Sequence, residues 1–283
     1  VTGVQTCALP ISSSYNSGTN TTTITLNLNT KAYYTKEIIT PDNQVTGLFH
    51  PTLIDYSSWV LGTSGSQGNF LRNGTLEENQ IILKNNPWGQ NDITWASLSN
   101  DATSDGEGGW ANYLIPIDKT KKYRLTVWIR REDRGNGITL FGCQGNTVKS
   151  ITSNTISSNP YFSYDPPSAV NNNWILHVAY IHPYDYSLTT ADPTNGFYDG
   201  TTKNRLTGLT DYKWDENATS GGHRTYLYYS TTTTEKQFWY RPRFEEVDGN
   251  EPSIEELLNG QENLNLNDYT NINKIGTITY TAN

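Results

Sequence analysis

The sequence predicts an all-β chain: a jelly-roll-like β-sandwich with long loops and one short C-terminal helix. Three observations carry that expectation. The first is composition. Of the 283 residues, 34% are hydrophobic and 17% charged, while Tyr (19) and Trp (8) are abundant. Thr and the aromatics suit a pleated, half-buried surface, and the plentiful Asn, Gly and Ser suit turns. A chain poor in hydrophobic residues stays disordered when it is also highly charged and short of aromatics, and neither condition holds here. The second observation is period-two alternation in several short runs. The third is the length and polarity of the segments between those runs, with no fixed-length repeat and almost no helical periodicity.

Taken in order, the chain holds no Met. Its first residues, Val1-Thr2-Gly3-Val4-Gln5-Thr6-Cys7-Ala8-Leu9-Pro10-Ile11, resemble the translation of a short-read sequencing adapter. The alternative is a weak signal-peptide remnant, which lacks a charged start and a long apolar stretch. Residues 1–11 are therefore set apart from fold reasoning. Without Cys7, Cys143 stands alone, which excludes an intramolecular disulfide and a Cys-rich zinc site. It follows the apolar run Ile138 to Gly142 and reads as a small buried hydrophobe.

Residues 12–47 read as an upstream strand, from the alternation of Thr23 to Leu28, and a connector with a turn at Pro41-Asp42-Asn43. A β-sandwich domain is expected over residues 48–260, and residues 261–283 read as the start of a downstream segment. Within the domain, Tyr123, Leu125, Val127 and Ile129 share one face of a strand, and Arg124, Thr126, Trp128 and Arg130 the other. Trp174 to Ile181 is apolar on both faces and suits a central strand covered on both sides. Arg224 to Ser230 and Gln237 to Phe244 give two more strands, with Thr231 to Lys236 between them as a hairpin loop. Pro242 places the second of these at a sheet edge or at its own end. Residues 183–222 read as a long loop. Ser253 and Glu256 stand at capping-box spacing after Pro252, predicting a short helix that Asn259-Gly260 ends.

Net charge is −8, with no basic run. That argues against a nucleic-acid partner, since a phosphate backbone is held by clustered Lys and Arg. No stretch approaches the roughly 18 apolar residues of a membrane span, so no membrane insertion is expected. The acidity would tolerate a bound cation.

Chemistry is sought first among the tryptophans. A flat ring can stack on the apolar face of a sugar while neighbouring polar groups bond its hydroxyls. Trp128 shares a face with Arg124 and Arg130, and Trp214 and Trp88 lie in polar loops. With His223, these six form the expected ligand set, against the competing expectation that each ring fills the core. Trp110 and Trp174 read as core. His223-Arg224 would bind an acidic sugar or pair with a carboxylate, and His177 reads as a satisfied core histidine. Asp101, Asp105 and Glu107 crowd one Gly-containing loop, where they would hold Ca²⁺ or stand as solvated carboxylates. Asp211, Asp215 and Glu216 form a second crowd, and Asp248 and Glu251 a third. Beyond a structural Ca²⁺, no cofactor is expected. Signatures of zinc proteases, serine hydrolases and phosphate-binding loops are missing. Paired carboxylates could cleave a glycoside, but only their separation in space tests that.

Several blocks carry a family resemblance. Thr52 to Ser66 (TLIDYSSWVLGTSGS), Asp105 to Trp110 (DGEGGW), Tyr123 to Arg131 (YRLTVWIRR), His223 to Ser230 (HRTYLYYS) and Pro242 to Ile254 (PRFEEVDGNEPSI) occur in this order. Together they resemble segments of bacteriophage tail fibre and related virion proteins, over about residues 50–259. The resemblance implies a carbohydrate-binding jelly roll, extracellular on a virion, with a cell-surface glycan as partner and a role in host attachment or fibre structure. It brings no ligand residues. Fibre proteins are commonly trimers, so a homo-oligomer is implied, although no trimerising heptad stands in the chain. The alternatives are a depolymerase or glycosidase fragment, a ligand-free fibre spacer, and a bacterial secreted carbohydrate-binding module.

Overall fold

The computed structural model describes residues 11–16, 21–26, 38–39, 45–46, 52–166, 171–249, 251–260 and 278–281. Residues 1–10 of the adapter-like segment and the Pro41-Asp42-Asn43 turn lie outside them. The chain divides into two units, residues 1–49 with 260–283, and residues 50–259. The first unit holds β1 (Ile11–Asn16), β2 (Thr21–Leu26), β3 (Ile38–Ile39) and β4 (Val45–Thr46). β1 pairs antiparallel with β2, in the stretch where Thr alternates with Ile and Leu, and β3 pairs with β4.

The second unit holds β5 (Leu71–Arg72), β6 (Asn79–Asn85), β7 (Asn91–Leu98), β8 (Gly106–Pro116), β9 (Tyr123–Glu132), β10 (Ile138–Cys143) and β11 (Val148–Ser150). It continues with β12 (Tyr161–Tyr164), β13 (Ile175–His182), β14 (Gly196–Asp199), β15 (Arg205–Thr207), β16 (Tyr212–Trp214), β17 (Ser220–Tyr228), β18 (Lys236–Glu246) and the helix α1 (Ile254–Asn259). A last strand, β19 (Ile278–Thr281), belongs to the first unit and pairs with β2.

In the second unit the strands form a β-sandwich. The smaller sheet has five strands in the order β12-β10-β17-β8-β5. The larger has nine, in the order β11-β16-β13-β9-β18-β7-β6, with β14 on β13 and β15 on β14. Pairing is antiparallel except between β13 and β16. Between the sheets lies an aromatic core. Trp59 meets Phe70, Trp95 and Trp110 at ring separations of 5.3, 5.6 and 5.2 Å, in the edge-on arrangements that aromatic quadrupoles favour. From β9 this core receives Tyr123, Leu125, Val127 and Ile129, the face that alternation predicts.

The opposite face of the larger sheet is also covered. Ala96, Trp128, Leu176, Val178, Phe238 and Tyr240 form a second apolar layer under Leu257 and Leu258 of α1, with Trp88 and Ile254 packed against it. β13 is accordingly buried along its whole length, as its two apolar faces predict.

Three expectations are corrected. Thr231 to Lys236 is not a hairpin loop: β17 lies in the smaller sheet and β18 in the larger, so the segment crosses between sheets. β18 is not an edge strand either, since β9 and β7 flank it. β7 stops pairing at Trp239, and Pro242 falls beyond that point, in a bulge where two residues of β18, Arg241 and Pro242, oppose one of β9, Val127. Its missing N–H is thus never asked for, and the extra residue keeps Phe244 facing the core. Residues 183–222 contain β14, β15 and β16, whose three or four residues are too few to show alternation. Asp211 ties this region down, accepting from the backbone N–H groups of Tyr180 (3.0 Å) and Asp192 (2.7 Å) and from Asn195 (3.2 Å).

α1 forms as its capping box predicts. The Glu256 backbone N–H donates to Ser253 Oγ (3.1 Å), and the Ser253 N–H donates to Glu256 Oε2 (2.8 Å). Cys143 is a free, buried thiol that burial pushes up to about 12. Among the described residues, no helix is long and apolar enough to cross a membrane.

Candidate functional site

A polar cleft of about 250 Å³ opens at the end of β6, beside the second apolar layer. Three segments and one strand end build it. The first segment is the turn Asn86-Pro87-Trp88-Gly89, which the Asn86 side chain closes. Its Oδ1 accepts from the N–H groups of Trp88 (3.0 Å) and Gln90 (3.0 Å), and Gly89 supplies a φ of +83°. The second is Asn172-Asn173-Trp174, leading into β13. Asn172 sits in the left-handed region (φ +65°) that Asn tolerates, with its N–H bonded to the Arg131 carbonyl (3.0 Å). The third is Gly200-Thr201, a turn held by Asp199, whose Oδ1 accepts from the N–H groups of Thr201 and Thr202 (2.8 Å each). A Cβ on Gly200 would lie 2.6 Å from the Trp174 carbonyl and 3.0 Å from the Trp128 ring, so close approach requires glycine there.

Arg130, at the end of β9, lines the cleft from below. Its Nη2 meets Glu132 Oε1 at 2.5 Å, and Lys84 Nζ meets Glu132 Oε2 at 2.7 Å. Burial opposes the Glu132 charge, but the Lys84 hydrogen bond and the Arg130 guanidinium outweigh it and hold the carboxyl below its usual range. Arg130 Nε is shielded from solvent and has no hydrogen-bond partner. Trp174 Nε1 donates to the Asn85 carbonyl (2.8 Å), fixing one wall to the other. The lining thus presents Asn amides, a hydroxyl and a guanidinium, groups that donate and accept in fixed directions.

The structure brings Arg130, Trp88 and Trp128 together around this cleft and separates the other predicted ligand residues. Only Arg130 of the three reaches the lining. Trp88 is half-buried, its Nε1 donating to the Leu258 carbonyl (3.0 Å) and the Arg241 guanidinium lying over its ring. Trp128 is 1% exposed and packs edge-on to Trp88 at 5.7 Å, so it is core and not a stacking platform. Trp214 is fully buried between the sheets against Tyr123 (5.5 Å). Arg124 is locked to Glu245 by Nε (2.8 Å) and Nη2 (2.5 Å) and bonds the Pro252 carbonyl (2.6 Å). His223 is buried, stacked on Trp110 (6.1 Å), with Nε2 3.1 Å from the Thr126 carbonyl oxygen. Burial holds its imidazole down to about 4. The corrections at Trp128 and Arg124 share one cause, since the face of β9 that alternation marks as polar lies under α1 and the residues just before it, whereas Trp214 and His223 point into the core between the sheets.

Arg224 neither pairs with a carboxylate nor stands free. Its guanidinium lies over the Tyr161 ring (4.2 Å) and its Nη1 meets Asn159 Oδ1 (3.4 Å), in a tyrosine layer with Tyr113, Tyr226 and Tyr228 on the outer face of the smaller sheet. His177 is buried as expected but unsatisfied, both ring nitrogens lacking a partner. Sequence reasoning missed Asn85, Asn172, Asn173 and Thr201. The runs Asn85-Asn86 and Asn171-Asn172-Asn173 were the available signal.

The acidic loop divides. Asp101 is exposed and caps its own turn, accepting from the Thr103 N–H (2.7 Å). Asp105 and Glu107 instead gather with Glu78, a residue the loop composition did not suggest. Burial pushes Glu107 up to about 7, with the charges of Glu78 and Asp105 acting in the same direction. In the other crowds, Asp215 pairs with Lys149 (2.9 Å), and Glu251 Oε2 accepts from the Asp248 and Gly249 N–H groups (3.0 and 2.8 Å).

No protein-family model matches the chain, and no curated protein matches it. Solved structures do show likeness. An arabinose-bound MgGH51 α-L-arabinofuranosidase aligns at 11% identity and a TM-score of 0.38, over 71% of this chain and 27% of that one. The CBM22-1 xylan-binding domain from Paenibacillus barcinonensis Xyn10C aligns at 13% identity and 0.32, over 70% and 96%. The enzymatically active domain of bacteriophage CBA120 tailspike protein 4 aligns at 9% identity and 0.33, over 68% and 22%. The chain thus spans about a quarter of the arabinofuranosidase and less of the tailspike domain, and at these TM-scores the likenesses assign no activity to it.

Proposed function

We propose that residues 50–259 form a non-catalytic carbohydrate-binding module that holds a cell-surface glycan in the Asn- and Arg-lined cleft. The observation that carries the reading is the cleft lining. Asn85, Asn172, Asn173 and Thr201 offer donors and acceptors at a rim that is open to solvent, and Arg130 adds a guanidinium already oriented by Glu132. Such a set suits hydroxyl groups, which both donate and accept. Glycoside cleavage by the usual route needs two carboxyl groups about 5–9.5 Å apart across the scissile bond. The residues lining this cleft are amides, a hydroxyl, a guanidinium and apolar groups, which supports binding over turnover. The tail fibre resemblance of the blocks within residues 50–259 supports a setting on a virion, outside the cell, in host attachment and in a homo-oligomer.

The test is a glycan array followed by calorimetry, comparing the wild type with Arg130→Ala and Asn173→Ala. Each substitution is expected to weaken a detected glycan by about 1–3 kcal/mol, the worth of a hydrogen bond to a charged or buried group. Binding that survives both changes undiminished would remove the cleft from consideration. Release of reducing sugar from host capsule would replace the binding reading with an enzymatic one.

A further inference from the structure

We propose that Glu78, Asp105 and Glu107 form a calcium site that clips the two sheets of the sandwich together. This inference is independent of the glycan cleft. Glu78 directly precedes β6 of the larger sheet, and Glu107 stands in β8 of the smaller one. Asp105 directly precedes β8. One carboxylate oxygen from each lies within 4.8 Å of the others. Two oxygens on one calcium are at most about 5 Å apart, twice the Ca–O length of roughly 2.3–2.6 Å, so the three can share an ion.

Proximity of acids alone would carry nothing. The second observation is Glu107 itself. It is 0% exposed, and neither Oε1 nor Oε2 has a hydrogen-bond partner. An isolated buried carboxylate is among the costliest groups a protein can hold, and native structures pair it, protonate it or place it on a metal. Among the described residues no Lys or Arg forms an ion pair with Glu78 or Glu107, and the hydrogen bond made to Glu78 is that from the backbone N–H of Thr75 to Oε2, at 2.5 Å. Two buried carboxylates and one exposed one around a common point are what a cation with one solvent-facing side requires.

The surroundings hold this arrangement in place. Asn79 binds the preceding loop through the Asn73 and Thr75 carbonyls (2.7 and 2.8 Å), and its Oδ1 accepts from Trp95 Nε1 (3.0 Å) and the Gly109 N–H (2.9 Å). Loop, β6, β7 and β8 are thereby fixed to one another. Gly74 adopts a φ of +71°, and a Cβ there would collide with the Gly106 carbonyl oxygen and with Glu78 Oε2. The absent methyl group therefore leaves a backbone carbonyl beside the carboxylates, a further hard oxygen donor. An all-oxygen set without His or Cys selects calcium or magnesium over zinc, and carboxylates borne on loop and strand ends suit the larger, less geometrically demanding ion.

The experiment uses the full chain, stripped with a chelator. Thermal unfolding is followed with calcium added to about 1 mM, the weak end of extracellular calcium modules. Terbium luminescence excited through tryptophan reports occupancy directly. Calcium is expected to raise the melting temperature, terbium to light up, and calcium to quench that signal by competition. Glu107→Gln should weaken terbium binding by about 10-fold or more, because charge count sets affinity in such sites. The stripped variant should melt no lower than the stripped wild type, since it loses a buried charge and no partner. Asp105→Asn, at an exposed position, gives the same reading should Glu107→Gln fail to fold. Absence of any calcium shift and of terbium luminescence in the wild type overturns the proposal, as does a full response retained in both variants. An equal response to magnesium overturns the assignment to calcium.

Discussion

Glu245→Gln is the sharpest test of how the outer layer of the larger sheet is held. Glu245 is 0% exposed and stands between two guanidinium groups. Its Oε1 accepts from Arg124 Nε (2.8 Å) and Nη2 (2.5 Å), and its Oε2 from Arg243 Nε (2.8 Å) and Nη2 (2.7 Å). Glutamine has the same shape but one acceptor oxygen, so its amide nitrogen must face one of the two forks. One bidentate, charge-assisted pair is lost, and the buried negative charge that Arg124 and Arg243 share is removed. Breaking a buried pair in this way costs about 3–5 kcal/mol, a large share of the roughly 5–15 kcal/mol by which domains are stable. Urea unfolding measures it: the midpoint should fall while the m-value stays constant. Acid gives a second readout. Burial opposes the Glu245 charge, but Arg243 and Arg124 outweigh it and hold the carboxyl below 4.5. Its stabilising contribution is therefore complete above pH 4.5 and disappears as pH falls through the lowered folded value, and the variant should lack that component. A midpoint shift worth less than about 1 kcal/mol would refute the reasoning, because only solvated pairs are worth so little.

Two further predictions separate core from site. Trp128→Ala and Trp214→Ala, each removing a ring no more than 1% exposed, should each cost about 3–5 kcal/mol of stability, read from denaturant midpoints. A variant that keeps wild-type stability but loses glycan would restore that ring to the ligand set. His177 sits 4.6 Å from the Phe197 ring and 5.7 Å from Phe141, and burial holds it down to about 3, against 6.5 for an ordinary imidazole. It stays neutral in the folded chain while its unfolded counterpart charges, so stability should fall as pH drops below 6.5, by about 2 kcal/mol at pH 5. His177→Phe should flatten that part of the profile, leaving the similar contribution of His223. An unchanged slope would show that His177 does not titrate this way.

What the sequence made legible was local. Alternation sorted the residues of β9 into their two faces, and the spacing of Ser253 and Glu256 located the helix to within a residue, because both signals are complete within a few positions. Exposure was not legible, since it depends on what packs from far away. Trp128 and Arg124 share a face with Arg130, yet α1, more than a hundred residues further on, covers the first two and stops short of the third. Charge crowding failed for the same reason. Asp101 stands nearer in sequence to Asp105 than Glu78 does, but the turn carrying Asp101 points it to solvent. The pairing of β6 with β7, and the packing of β8 of the other sheet against them, deliver Glu78 to the cluster instead.

Glycan binding in the proposed cleft should be coupled to stability through that outer layer. Arg124 ties Glu245 of the sheet to the Pro252 carbonyl just ahead of α1, and the far end of α1 offers the Leu258 carbonyl to both Trp88 Nε1 (3.0 Å) and Lys203 Nζ (2.8 Å). Those two donors lie in or near the turns that form two walls of the cleft. A lesion at Glu245 should therefore be felt at Trp88, by way of a helix of six residues too short to hold its shape without such contacts. The order of effects distinguishes this from a cleft formed by β9 alone. Loss of the helix anchor should weaken a bound glycan in Glu245→Gln at urea concentrations well below global unfolding. A substitution in the inter-sheet core, such as Trp214→Ala, should leave affinity intact until the whole sandwich melts.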